Sequence, residues 1–341
     1  MNDLSETVTL SQARQIIKAL AADESVLLLS SPGLGKSDIV RSAAADAGLE
    51  CRSLLGTQIA PEDVSGVPKI DGDRSVFCPP RILLPESDEP FCLFLDELPA
   101  ASPDVQKAFY ALLLERRIGE FNLPNGTWVV AAGNRAEDRA LVRTISSALV
   151  NRVLILHVRA DNEEWISWAR ANNVRSEIIA FIAAVPDALM RAAPAEPVPF
   201  STPRAWASLS ASLDLAEKAG LLTDEVRRAL AYGKISAGDA SLFCGLTEAD
   251  IQNLKPPEVY IKDPSLLPHE PARKWFVIRI IRKLVAEGSL NNFSAEEIEG
   301  FLSALPSEIR FSMLVGLVDA WGKLGAGESL LSSLREATGL R

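Results

Sequence analysis

Histidine is scarce in this chain and cysteine is sparse, with two His and four Cys in 341 residues. His157 and His269 lie far apart, and Cys51, Cys78, Cys92 and Cys244 show no C-x-x-C spacing. That supply does not make a disulfide framework and provides poorly for zinc, whose protein ligands come as closely spaced Cys and His pairs. Nor does it support a Ser-His-Asp or Cys-His arrangement, and His157 falls in a strand-like run that suits a structural histidine. Positive charge is also in deficit: 35 Lys and Arg face 45 Asp and Glu, a net charge of −10. Such a balance argues against a DNA coat or an electrostatic membrane binder while leaving room for a local basic patch. No apolar run approaches the ~18 residues of a membrane span. The opening residues carry Asp3 and Glu6 and no apolar h-region, so no signal peptide is read there. The expectation is a cytoplasmic protein. At 48% hydrophobic and 23% charged residues it can bury a core without staples, and its length suggests about two domains.

What is present has a clear rhythm in the first half. Ser11 is a plausible N-cap for an amphipathic helix running to Leu20. Short apolar runs follow at Val26–Leu29, Cys51–Leu55, Phe91–Leu95, Trp128–Ala132 and Val153–Leu156, separated by helical stretches. Runs buried on both faces and alternating with helices predict a parallel sheet flanked by helices. Two hairpins interrupt it: one over residues 65–81 around Asp71-Gly72-Asp73, and one from Ile118 ending at the Asn125-Gly126 turn signal. After about Arg159 the strand signal vanishes. Helices are expected at 163–171, 176–184, 203–219, 223–232, 273–287, 295–303 and 308–323, with a stiff Pro-rich connector at 193–199 and a candidate linker at 255–271.

Ser30-Ser-Pro-Gly-Leu-Gly-Lys-Ser37 lies between the first strand and a helix, the context a phosphate-binding loop requires. Gly33 and Gly35 permit positive φ and close backbone approach, so successive N–H groups can face a phosphate. The helix beginning near Lys36 adds its dipole at the same point. Lys36 can reach the β- and γ-phosphates, and Ser37 offers a hydroxyl to Mg²⁺. One departure from the G-x-x-x-x-G-K-[ST] pattern is Ser30, which stands where Gly is usual. Phe91 to Glu97 is an apolar strand ending in two carboxylates, and buried parallel strands deliver their last residues to the ligand-binding edge. Asp96 then suits Mg²⁺ and Glu97 suits the water that attacks the γ-phosphate.

Together these segments resemble the AAA+ ATPases, and within them the MoxR-like group, over about residues 10–215. Ser30 to Ser37 looks like Walker A, with Ser31, Pro32, Gly33, Leu34, Gly35, Lys36 and Ser37 as the ATP-binding residues. Leu93 to Glu97 looks like Walker B, with Asp96 sharing Mg²⁺ with Ser37. Ala131-Ala-Gly-Asn134 looks like sensor 1, and Ala148-Leu-Val-Asn-Arg152 is similar to the arginine-finger segment, with Arg143 and Arg139 as competing fingers. Ser201-Thr-Pro-Arg204 resembles sensor 2 on the lid. The two hairpins fall where that branch carries a helix 2 insert and a pre-sensor 1 hairpin.

The resemblance implies a P-loop NTPase α/β domain over 1–159, a helical lid over 160–254 and a C-terminal helical extension over 255–341. It implies ATP and Mg²⁺ as ligands, Glu97, Asn134, Arg152 and Arg204 as the residues of hydrolysis, and a homo-oligomeric ring, a hexamer. It further implies remodelling of a partner protein, commonly one with a von Willebrand factor A domain. Two alternatives stand beside this: a nucleic-acid-stimulated motor or loader, which the acidic total disfavours, and a nucleotide-gated scaffold with little turnover. Trp165 and Trp168, three apart, read as core packing rather than a base-stacking surface. The basic helix with Arg273, Lys274, Arg279, Arg282 and Lys283 reads as a solvated charged face.

Overall fold

The computed structural model describes residues 6–85, 88–135, 150–246, 255–286, 288, 290 and 293–324. Its chain divides into two compact units: residues 1–172 with 188–208, and residues 173–187 with 209–341.

The first unit is built on a parallel sheet. In chain order its elements are β1 (Thr7–Val8), α1 (Leu10–Leu20), β2 (Val26–Ser30), α2 (Lys36–Asp46), β3 (Cys51–Leu55), α3 (Pro61–Ser65), β4 (Val67–Asp71), β5 (Arg74–Cys78) and β6 (Cys92–Asp96). There follow α4 (Pro103–Ala108), α5 (Tyr110–Glu115), β7 (Arg117–Ile118), β8 (Phe121–Asn122), β9 (Trp128–Asn134), β10 (Leu154–Val158) and α6 (Asn162–Ala171). Six strands pair in the order β1-β10-β2-β9-β6-β3. Five match the apolar runs of the sequence; β1, two residues long, carries no run of its own and pairs with His157 and Val158.

Side-chain alternation explains why these strands are apolar on both faces. Val26, Leu28, Phe94, Val130 and Ala132 pack on one face against Ala13 and Ile17 of α1 and Val40 and Ala43 of α2. Leu27, Leu93, Leu95, Val129 and Ala131 pack on the other against Val105, Phe109, Leu112 and Leu113. Each strand residue therefore belongs to one of two cores by the two-residue period of the pleat.

Local corrections concern end signals. The N-cap of α1 is Thr9 rather than Ser11: Thr9 and Gln12 form a reciprocal capping box. Ser11 lies inside the first turn, where its N–H donates to Glu164 Oε2 at 3.1 Å. The first hairpin, β4–β5, turns at Gly72 as expected. The second pairs Ile118 with Phe121, so its turn is Gly119-Glu120, and Asn125-Gly126 makes a separate turn after it.

The second unit is helical among its described residues. It holds α7 (Ser176–Ala184), the later part of α8 (Pro203–Lys218), α9 (Asp224–Tyr232), α10 (Ala237–Cys244), α11 (Pro257–Lys262), α12 (Pro271–Ala286), α13 (Ala295–Ala304), α14 (Ser307–Leu314) and α15 (Val318–Lys323). The expected helix over 308–323 is broken in two at Gly316, whose φ of 74° leaves the helical region. The expected linker contains α11, which opens on Pro257 at its first position. Four of the five basic side chains of α12 are paired, and those of Arg273, Arg279 and Lys283 stay partly exposed as well. Arg273 pairs with Glu270, Arg279 with Asp239 and Lys283 with Asp187, while the Arg282 guanidinium donates to the Ser312 and Val315 carbonyls. Among the described residues no helix is long and apolar enough to cross a membrane.

Candidate functional site

Four neighbouring strands end at one edge of the sheet. Ser30 is the register partner of Asn134, and Leu55 is the partner of Asp96. The loop after β2 therefore opens beside the last residues of β9 and β6, where open parallel sheets bind their ligands.

The loop has the conformation its glycines predict. Gly33 and Gly35 have φ of 78° and 112°, and Gly35 is the N-cap of α2. An added Cβ at Gly33 would lie 2.6 Å from Thr202 Oγ1, so only Gly fits without displacement. Leu34 is buried in the α1/α2 core. Lys36 is buried, and its Nζ donates to Ser30 Oγ at 2.9 Å, Ser30 O at 3.2 Å, Ser31 O at 3.3 Å and Asn134 Oδ1 at 3.1 Å. The Ser30 hydroxyl, where the loop pattern has Gly, thus supplies one of the oxygens around the lysine.

Ser37 Oγ donates to Asp96 Oδ2 at 2.7 Å, and the other oxygen of Asp96 accepts from Glu97 N–H at 3.0 Å. Glu97 adopts a left-handed conformation, φ 55° and ψ 30°, which costs about 1–3 kcal/mol outside glycine and concentrates at functional positions. Its carboxylate accepts from Thr57 Oγ1 at 3.0 Å. Behind it, Pro99 packs against Gly133, where an added Cβ would come within 2.3 Å of the proline ring.

The remaining expected residues separate into two places. Thr202 caps α8, accepting from Ala205 N–H at 3.1 Å, and the Arg204 N–H donates to the Gly33 carbonyl at 3.0 Å. Arg204 thus joins the loop through its backbone. Arg152 is exposed just before β10, whose Leu154 pairs with Val26 at the start of β2. It therefore stands at the amino edge of the sheet, opposite the loop. Residues 148 and 149 of its segment, with Arg139 and Arg143, lie outside the described residues.

Beside the loop is a cavity of about 910 Å³, lined by Leu10, Gly35, Ile39, Trp165, Trp168, Pro203 and Arg204 among others. Its volume is in the range of sites for small organic ligands. Trp165 is buried as core packing predicts, but Trp168 is 44% exposed, their ring centroids 6.4 Å apart.

Two contributors have weak sequence signals. Thr57 is marked only by lying two residues past β3, and Arg135 only by following Asn134; Arg135 Nη2 donates to Ser31 Oγ at 2.6 Å. Neither belongs to a spaced motif, because each acts on a residue distant in the chain.

Residues 25–162 match the family model described as AAA domain (dynein-related subfamily). No curated protein matches the chain. Among solved structures, the Thermotoga maritima RuvB Holliday junction branch migration motor is similar at 16% identity and a TM-score of 0.41, over 83% of this chain and 81% of that one. A candidate ATPase from Cytophaga hutchinsonii is similar at 17% identity and a TM-score of 0.37, over 87% of this chain and 89% of that one. Sheet order, loop and family match agree: this is an AAA+ P-loop NTPase fold, a parallel sheet flanked by helices with further helices after it, with the match to the AAA domain model over residues 25–162.

Proposed function

We propose that the chain hydrolyses ATP and uses the cycle to remodel or activate a partner protein, as the resemblance to the MoxR-like group implies. The observation that carries this reading is the meeting of two chemistries at one sheet edge. Ser37 and Asp96 are 2.7 Å apart, and Lys36 and Asn134 3.1 Å apart.

In this reading Ser31, Pro32, Gly33, Leu34, Gly35, Lys36 and Ser37 hold the phosphates, and the cavity beside them receives the nucleoside. A hydroxyl next to one carboxylate fits Mg²⁺, which takes oxygen ligands and leaves most positions to water and phosphate. Among the described residues no group of three or more His, Cys, Asp or Glu could hold a metal alone. That suits an ion arriving with its nucleotide, held by Ser37 and Asp96. Mg²⁺ bound there would neutralise phosphate charge. Glu97 polarises the attacking water, and Asn134 orients that water or the terminal phosphate. Exchange of Lys36 from the loop oxygens to phosphate oxygens replaces neutral acceptors by charged ones.

Arg204, within the proposed lid of residues 160–254 but in the part of it that belongs to the compact unit of the sheet, reads the phosphates from the first turn of α8. Arg152, at the far edge of the sheet, serves the nucleotide of a neighbouring copy, which makes a ring, a hexamer, the working form. Residues 255–341 extend the lid. Motion of the lid against the sheet is what works on the partner, by family association a von Willebrand factor A domain protein. A cytoplasmic setting fits that assignment.

Steady-state phosphate release with Mg²⁺-ATP tests the proposal over a range of protein concentration. Activity rising faster than linearly is expected if fingers act between copies. Turnover unaffected by Glu97→Gln would remove the role given to Glu97. The same variant with ATP should retain the partner in a pull-down. Stimulation by DNA or RNA that fades with salt would instead favour a nucleic-acid motor.

A further inference from the structure

The strand that brings Asn134 to the phosphate loop brings a second side chain with it. Ser30 and Asn134 are register partners on β2 and β9, so Ser31 and Arg135 leave the sheet side by side. Arg135 Nη2 donates to Ser31 Oγ at 2.6 Å. Lys36 Nζ meanwhile donates to the Ser31 carbonyl at 3.3 Å and to Asn134 Oδ1 at 3.1 Å. Two cations thus converge on the first half of the loop.

Their placement matters for which phosphate they meet. The N–H groups of Gly33 to Ser37 and the dipole of α2 gather at one point, which suits a β-phosphate common to ATP and ADP. A terminal phosphate continues from there toward the strand ends that carry Asp96, Glu97 and Asn134. Arg135 stands one residue past Asn134 at that same edge, in the same chain as the loop. It differs in this from Arg152, at the opposite edge, and from Arg204, whose N–H bonds Gly33.

We propose that Arg135 is a cis-acting residue that distinguishes ATP from ADP. Its guanidinium docks on the Ser31 hydroxyl, and the terminal phosphate of ATP draws it away. The assignment rests on the ATP-site reading above. A hydroxyl is a neutral acceptor, whereas a phosphate oxygen is charged and accepts charge-assisted bonds that are roughly twice as strong. The planar guanidinium fork also matches phosphate bidentately, which an ammonium does not. ADP offers no group in that position and leaves Arg135 on Ser31.

The test is the pair of equilibrium affinities for a non-hydrolysable ATP analogue and for ADP, measured with Mg²⁺ on the full chain. Arg135→Ala should weaken the analogue by about tenfold or more, the size of one charge-assisted contact, and ADP by less than about twofold. Preserved ADP binding also reports an intact loop. Arg135→Lys should recover only part of the selectivity, because it restores charge without the fork. Equal losses for both nucleotides would make Arg135 a purely structural brace and overturn the assignment; so would no change in either. Wild-type protein that binds neither nucleotide overturns the site reading itself, and the assignment with it.

Discussion

Thr57 holds Glu97 across the gap between two neighbouring strands, its hydroxyl donating to Glu97 Oε2 at 3.0 Å. The two are 40 residues apart, brought together because β3 and β6 end in register at Leu55 and Asp96. Glu97 is otherwise set by an unfavourable left-handed backbone, so this bond aims its carboxylate. Thr57→Val keeps the shape and deletes the donor. Loss of a hydrogen bond worth about 1 kcal/mol should lower kcat about fivefold and leave nucleotide affinity within about twofold.

Glu97→Gln tests the other partner. Removal of a positioned base, the role proposed for Glu97, typically costs about 10²–10⁴ in rate. Turnover should fall by at least about 100-fold while ATP binding persists, as read by phosphate release alongside calorimetric titration.

Gly33 lies directly against the start of α8. Gly33→Ala adds a methyl 2.6 Å from Thr202 Oγ1 and 2.8 Å from its Cβ, at a φ of 78°. The left-handed conformation alone costs about 1–2 kcal/mol for an L-residue. Stability should fall by at least that amount in urea, and nucleotide affinity by about tenfold, since the Arg204 N–H to Gly33 carbonyl bond is displaced with Thr202.

Gly133 lies against Pro99, two residues after Glu97. Gly133→Ala would place a Cβ 2.3 Å from Pro99 Cγ and Cδ, both part of a rigid ring. Overpacking of this kind costs about 1–3 kcal/mol. The expected result is a lower urea midpoint together with reduced turnover, because relief of the clash shifts the turn that carries Glu97. An unchanged midpoint would show that the turn yields freely.

Cys51 and Cys92 are register partners on β3 and β6. Interaction with the Cys92 thiol, as the largest cause, lowers the Cys51 pKa to about 7; the same interaction, with burial second, pushes the Cys92 thiol up. Alkylation of Cys51 should accelerate as pH rises through about 7, followed by peptide-resolved mass spectrometry to separate it from exposed Cys78. Cys92→Ala removes that interaction, so the midpoint should move upward toward ordinary thiol values. A midpoint already at ordinary values in the wild type would contradict the thiol–thiol interaction.

Much of this was legible in the chain because it depends on neighbours in sequence. The runs at Val26, Phe91 and Trp128 announce strands buried on both faces, and Gly33 to Ser37 announces a loop whose N–H groups converge. The misreadings are local competitions. Thr9 outranks Ser11 as a cap because Gln12 completes its box, Gly119 outranks Asn125-Gly126 as the hairpin turn because Ile118 and Phe121 pair across it, and Gly316 divides a helix whose apolar pattern continues past it. Sequence alone determined the strand–loop–helix order and the residue types that suit phosphate chemistry, since both follow from hydropathy period and backbone freedom. Only the tertiary structure decided the partners. Ser37 meets Asp96 across 59 positions, Lys36 meets Asn134 across 98 and Arg135 meets Ser31 across 104, because strand order and register bring distant chain ends to one edge.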